Sequence, residues 1–307
     1  LALFVLMAYG QEKKFALYSV AFYNMENLFD TIHDEGKNDY EYLPNGTNQW
    51  NTMKYKAKLK NMSEILSMLS TDKLPMGPAI IGVSEIENYR VLEDILKQPA
   101  LADRGYQYVH YEGADQRGVD CAFFYNPKLF ELTNSKLVPY VYINDTVHKT
   151  RGFLIASGNI AGEKMHFIVN HWPSRAATSP ARERAGEQVR AIKDSLLRED
   201  SAAKIVIMGD MNDDPMDKSM AVALGAKRKP ADVGPTDLYN PWWDTLKKGY
   251  GTLMYKGKWN LFDQIVFTGN LLGTDRSTLK FYKHEIFYLF QKLFVHYFLC
   301  PFFTICS

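Results

Sequence analysis

The strongest constraint on the fold is where the strand-like apolar runs stop. Ala79–Val83 is a short continuous apolar run, and Lys204–Met208 is a second such segment, the pattern of strands covered on both faces. Each leads at once into acids and amides: Glu85 and Glu87 follow Ser84, while Asp210 and Asn212 follow Gly209. The same break recurs elsewhere. Phe15–Tyr23 alternates like a half-buried strand and is followed by Asn24 and Glu26; Phe167–Val169 leads into Asn170 and His171; Asp263 opens Gln264–Thr268. Taken singly, each has an ordinary reading. Gly209–Asp213 could be a turn, Glu85 a surface cap, and His171 part of a packed cluster with Trp172 and Pro173. Repeated on five strand ends, the pattern points to chemistry, because layered α/β folds hold reactive side chains where rigid strands give way to loops.

The remaining periodicity sets the architecture. Leu59, Met62, Ile65, Leu66 and Leu69 share one face of a helix over 54–70, and Asn88 is placed to cap a helix over 89–97. Ser179-Pro180 opens a third helix that runs to about Arg198, with Ser179 as its cap. Further strands are expected at 106–111, 119–125, 138–143, 152–157 and 165–170. Neighbouring strands that can pair as hairpins argue against a purely parallel, doubly wound sheet. Two packed mixed β-sheets flanked by helices fit better.

Composition narrows the function. The 307 residues carry a formal net charge of +1, so no global basic field holds a polyanion, although a local basic cleft is compatible with that total. The three cysteines, Cys121, Cys300 and Cys306, form neither a disulfide framework nor a metal-ligand spacing. The polar set is instead rich in Asp, Glu and Asn, which favours a hard cation, Mg²⁺ or Mn²⁺, over Zn²⁺. Such a cation neutralises phosphate oxygens and a leaving oxyanion, an Asp beside it activates water, and an Asn or His donor holds the phosphate.

Five stretches in this order resemble the endonuclease/exonuclease/phosphatase superfamily of DNase I and exonuclease III. They are Tyr23–Asp30, Gly82–Asn88, Arg117–Asp120, Asn170–Arg175 and Gly209–Asp213, and the resemblance covers roughly residues 15 to 287. It implies a four-layer α/β sandwich and hydrolysis of a phosphodiester or phosphomonoester, nucleic acid among the substrates, with no obligate protein partner. Glu85 would be the principal metal ligand, supported by Asn24 and Glu26. His171 would contact phosphate, Asp210 activate the water, Asn212 position substrate, and Asp263 orient a second, catalytic histidine. Arg117 and Asn170 would bind phosphate or substrate. A calcineurin-like metallophosphoesterase is disfavoured because its early Asp-x-His is missing and Asn170-His171 runs into Trp172 rather than an acid. A non-catalytic phosphate-binding protein on the same fold is the other alternative.

Both ends depart from that family. Residues 1–10 are nearly all apolar and close on Ala8-x-Gly10, as the later part of a secretory signal does, which implies export. After Phe287 the Ser-Asp-His that should supply the second histidine does not occur, and residues 288–307 form a hydrophobic tail crowded with Phe, Leu and Tyr. A shifted reading frame, a membrane-associating tail, or a divergent core element in which His284 or His296 stands in for the missing base each account for this. The expectation is a last core strand that is missing or aberrant, with weak or absent turnover and poor solubility.

Overall fold

The computed structural model describes residues 16–143, 147–288 and 299–306, the last stretch as backbone alone. The leader-like residues 1–10, and His296, lie outside the described residues. The chain opens with the long strand Leu17–Leu28 (β1), followed by the helix Thr52–Ser67 (α1) and the strand Ile80–Ile86 (β2). Asn51 starts α1 by accepting from the amides of Met53 and Lys54, and Asn88 caps the helix Tyr89–Leu96 (α2) through Arg90 and Val91. Gln107–His110 (β3), Asp120–Tyr125 (β4), Glu131–Val138 (β5), Phe153–Ile160 (β6) and Glu163–His171 (β7) precede the helix Ser179–Glu199 (α3). Lys204–Asp210 (β8), Ala226–Lys227 (β9), Leu238–Tyr239 (β10) and the helix Trp242–Lys247 (α4) come next. A small hairpin, Leu253–Tyr255 (β11) and Lys258–Asn260 (β12), leads to Asp263–Thr268 (β13), Lys280–Tyr288 (β14) and Leu299–Cys306 (β15).

Two large mixed sheets result, one in the order β14-β15-β1-β2-β4-β3 and the other β5-β6-β7-β8-β13-β10-β9. Alternation along each strand divides the apolar side chains between layers. Val20, Phe22 and Ile80 face inward and pack on Phe167, Val206, Met208 and Ile265 of the second sheet. Ala21, Tyr23, Ile81 and Val83 face outward against Leu59, Met62 and Ile65 of α1 and Val91 of α2. Ile205 and Ile207 cover α3 through Ala185, Val189 and Leu196. These are the four layers. Gly82 lets the sheets close up, since a Cβ there would lie 2.5 Å from the Met208 sulfur.

Three expectations need correction. The strand expected at 138–143 lies earlier, at Glu131–Val138, because this edge strand is mostly exposed and carries little apolar alternation. The cap of α3 is Thr178, and the Ser179 hydroxyl donates to Glu183 instead. The last strand is not missing: β15 pairs antiparallel with β1 from Leu17↔Cys306 to Ala21↔Phe302 and lies between β1 and β14. Its phenylalanine-rich sequence hides the period-two signal, because apolar residues occupy both parities. Among the described residues, no helix is long and apolar enough to cross a membrane.

Candidate active site

The two sheets bring the polar strand ends to one rim. β1 runs parallel to β2 and β7 parallel to β8, so Asn24, Glu85, His171 and Asp210 leave the sheets in a common direction. Asp263 joins them from antiparallel β13, directly opposite Asp210. Regular pleating alone would not aim all these side chains at one point. The β1/β2 register shifts between Asn24 and Leu28, and the β2/β4 register between Ser84 and Ile86. Glu26, Asn27 and Glu85 at these irregularities, and Asn212 beyond β8, all have positive φ (49°, 58°, 59° and 52°). Such conformations cost non-glycine residues about 1–3 kcal/mol each and cluster where function requires them.

The convergence is tight. Asn24 Nδ2 donates to Asp210 Oδ2 at 3.1 Å and to Glu85 Oε1 at 3.4 Å. The Asn27 amide donates to Glu85 Oε2 at 2.9 Å. His171 Nε2 faces Glu85 Oε1 at 3.6 Å and Asp210 Oδ2 at 3.9 Å, and its Nδ1 is buried with no partner among the described residues. Asp210 Oδ1 accepts the Asn212 amide at 2.8 Å, while Asn212 Nδ2 donates to the Trp172 carbonyl at 3.0 Å.

Burial and like charge set the protonation states. Burial, then the nearby Glu85 carboxylate, push Asp210 up to about 6. Burial, with Asp210 as its main charged neighbour, holds Asp263 well above the usual carboxylate range. Burial, reinforced by Arg151 and Arg117, keeps His171 well below its ordinary value, so its imidazole is neutral.

This donor set suits a cation. Glu85, His171 and Asp210 each offer one ligand atom, all within 4.8 Å of one another. Among the described residues no lysine or arginine forms an ion pair with Glu85 or Asp210; Arg151 and Lys58 act on them only from a distance. The two carboxylates supply the oxygen ligands that hard divalent cations take. Asn24, expected to support the cation itself, instead turns its NH2 to both carboxylates and its Oδ1 to the Glu26 amide, and so orients them rather than coordinating.

Not every residue singled out by sequence reaches this point. Glu26 contributes its amide, which donates to Asn24 Oδ1 at 2.8 Å, and its side chain is exposed. Asn170 is fully buried; its amide group donates to the carbonyls of Ile168 and Met208, tying β7 to β8 rather than facing a substrate. Arg117 is exposed beside Asp115, with Nε 3.6 Å from Oδ1, at the border of the site. His284 is spent elsewhere: its Nε2 lies 3.1 Å from Thr245 Oγ1 and its ring stands edge-on to Trp242 at 4.9 Å.

Arg151 escaped the sequence reading. Its buried guanidinium donates to Asp115 Oδ2 at 3.0 Å and to the Trp172 carbonyl at 2.8 Å, directly behind His171. A signal existed, because Arg151 stands just before an apolar strand and Asp263 opens one.

Comparison with known proteins bears on the fold and the family. No curated protein matches the chain in sequence. Among solved structures, D. rerio TDP2 complexed with a single-strand DNA product superposes with TM-score 0.59 at 14% identity, covering 94% of this chain and 98% of that one. The human Nocturnin catalytic domain with bound sulfate gives TM-score 0.59 at 16% identity, over 95% and 96% of the two chains. ANGEL2, a 2',3'-cyclic phosphatase, gives TM-score 0.62 at 11% identity, over 95% of each. At such identities the likeness shows the fold. The sequence profile of the Endonuclease/Exonuclease/phosphatase family matches residues 19–296, nearly the whole chain, and the protein belongs to that family.

Proposed function

We propose that the protein is a divalent-metal-dependent phosphoester hydrolase, acting on phosphodiesters of the nucleic-acid type, whose turnover is limited by an incomplete site. One observation carries this reading: Asn24, Glu85, His171 and Asp210 converge on one point with two facing carboxylates that, among the described residues, pair with no lysine or arginine. Glu85, with Asp210 beside it, would hold Mg²⁺ or Mn²⁺, which when bound would supply positive charge to a phosphate oxygen and the leaving oxygen.

The chain's own groups supply the rest. Asp210, pushed up to about 6, is mostly ionised at neutral pH yet basic enough to take a proton from an attacking water. Neutral His171 can present an N–H to a phosphate oxygen without the repulsion that a second carboxylate would bring. Asn212 is fixed by the Trp172 carbonyl beside that position. Two of the structural relatives also point to phosphoesters, since TDP2 is seen with a DNA product and ANGEL2 is a 2',3'-cyclic phosphatase.

The limit on turnover rests on Asp263. Its Oδ1 is buried with no hydrogen-bond partner among the described residues, and no Ser-Asp-His occurs in the sequence beyond it. A site lacking one member of its phosphate-stabilising set commonly loses about 10²–10³ in rate. The test is hydrolysis of bis(4-nitrophenyl) phosphate and of single-stranded DNA with EDTA, Mg²⁺ or Mn²⁺. Slow, cation-dependent turnover that disappears in Asp210→Asn is expected. Turnover undiminished in EDTA would overturn the metal assignment, and cation and phosphate binding without turnover would leave a binding protein.

A further inference from the structure

Lys58 lies on α1, near enough to Glu85 for its charge to act on that carboxylate, and its ammonium group donates to two backbone carbonyls at the rim. These are the carbonyls of Glu26 and of Asn27, the latter at 3.2 Å. Both residues are in the left-handed region, which β-rich neighbours alone do not stabilise. Their amides are equally committed. The Glu26 amide holds Asn24 Oδ1 at 2.8 Å, and the Asn27 amide holds Glu85 Oε2 at 2.9 Å. The turn therefore has two working faces: its N–H groups orient the centre, and its C=O groups are gathered by one cation.

Lys58 is itself well anchored. Its neighbour Leu59 is buried with Met62 and Leu66 in the outer layer, and its ammonium lies 5.6 Å from the centroid of the Trp50 ring. The Trp50 indole donates to the Phe29 carbonyl at 2.9 Å, two residues past the turn. Helix and turn are thus joined at both the charge and the ring.

We propose that Lys58 is a positioning residue: by holding the Glu26 and Asn27 carbonyls it maintains the left-handed turn whose amides preset Asn24 and Glu85 for a cation. The proposal rests on the metal-centre reading above. Outer partners of this kind typically change metal affinity by about 10–100-fold when removed.

The test uses the full chain with Lys58→Met, Lys58→Arg and, as a control on the exposed side of α1, Lys56→Met. Mn²⁺ binding is measured by calorimetry without substrate, and amide hydrogen exchange is followed in the metal-free protein. Lys58→Met should weaken Mn²⁺ binding by about 10-fold or more and speed exchange at Glu26 and Asn27, with α1 still protected. Lys58→Arg, which keeps charge and donors, should restore most of the affinity, and Lys56→Met should match the wild type. Wild-type affinity and exchange in Lys58→Met would overturn the proposal. So would an equal loss of protection across α1, which marks a purely stabilising lysine. If the wild type binds no Mn²⁺, the metal-centre reading fails, and exchange at the two amides alone decides whether Lys58 holds the turn.

Discussion

Asp263 and Asp210 stand directly opposite each other across the β13/β8 pair, two buried carboxyl groups at the start of one strand and the end of its neighbour. Two such groups cannot both ionise freely: burial and the Glu85 charge push Asp210 up to about 6, and burial with the Asp210 charge holds Asp263 well above the usual carboxylate range. Burial thus favours the neutral form of Asp263, which an amide imitates. Replacing it by Asn changes little charge, so Asp263→Asn should lower kcat/KM by less than about 10-fold. Asp210→Asn removes the base and should lower it by at least about 100-fold. The acid limb of the wild-type pH profile should fall near pH 6 and follow Asp210. Equal effects of the two substitutions would assign Asp263 a direct role.

The same burial predicts a stability signature in the metal-free protein. Asp210 has a folded value near 6 against an ordinary 3.8, so between those values the native state holds a proton that the unfolded chain releases. Stability from this group accordingly falls as pH rises from about 4 to about 6, by on the order of 2–3 kcal/mol, and is flat above. His171 works in the opposite direction: its folded value lies well below 6.5, so stability is lost as pH drops below that value. Asp210→Asn removes the first effect and keeps the second. In EDTA, its Tm advantage over wild type should widen from pH 4 to pH 6 and then stay constant. A constant difference across the range would show that Asp210 titrates normally.

A cation bound only by the folded chain should raise Tm by mass action. Excess Mn²⁺ or Mg²⁺ over EDTA should therefore shift the wild-type transition upward, by an amount that grows with cation concentration. Glu85→Gln keeps the shape but removes the carboxylate that Asn24 and Asn27 orient, and should abolish most of that shift. Retention of the full shift would place the cation elsewhere on the protein.

The main features of the fold and of the site could be read where local pattern and tertiary need coincide. Asn24, Glu85, His171 and Asp210 were visible because each ends an apolar run, and the structure gathers them through parallel pairs β1/β2 and β7/β8. Asn170 obeyed the same pattern but turned inward, since alternation sends successive side chains to opposite faces and leaves its amide to tie two strands. The left-handed Glu26–Asn27 turn carries no glycine to announce it; Lys58, a distant helix residue, supplies part of its support. β15 was hidden by a sequence with apolar residues at both odd and even positions, and β5 by one with few at either.

His284 provides a separate check on the missing histidine. Its ring packs on Trp242 and bonds Thr245, and burial lowers its pKa, with Lys248, Glu285 and Asp244 as the charges acting on it. None of these belongs to the converging set. His284→Gln should leave the pH dependence of turnover unchanged, whatever it does to stability. Loss of the acid or basic limb in that variant would show that His284 takes the base's place.

Arg151 joins the wall of the candidate site to the protein interior. It lies between Asp115 and the Trp172 carbonyl, and the same carbonyl accepts from Asn212, so one backbone oxygen carries donors from two residues of the site's wall. Arg151→Met keeps much of the volume but leaves the Asp115 carboxylate buried, with Thr150 and the exposed Arg117 as its remaining partners. Breaking a buried pair in this way costs about 3–5 kcal/mol, more than either charge contributes on the surface. The loss should appear in urea unfolding as a lower midpoint with an unchanged slope. Asp115→Asn should cost less, because the amide still accepts from Arg151. The double variant Arg151→Met/Asp115→Leu should recover part of the deficit by removing both buried charges together. An additive double variant would mean that Asp115 and Arg151 contribute independently.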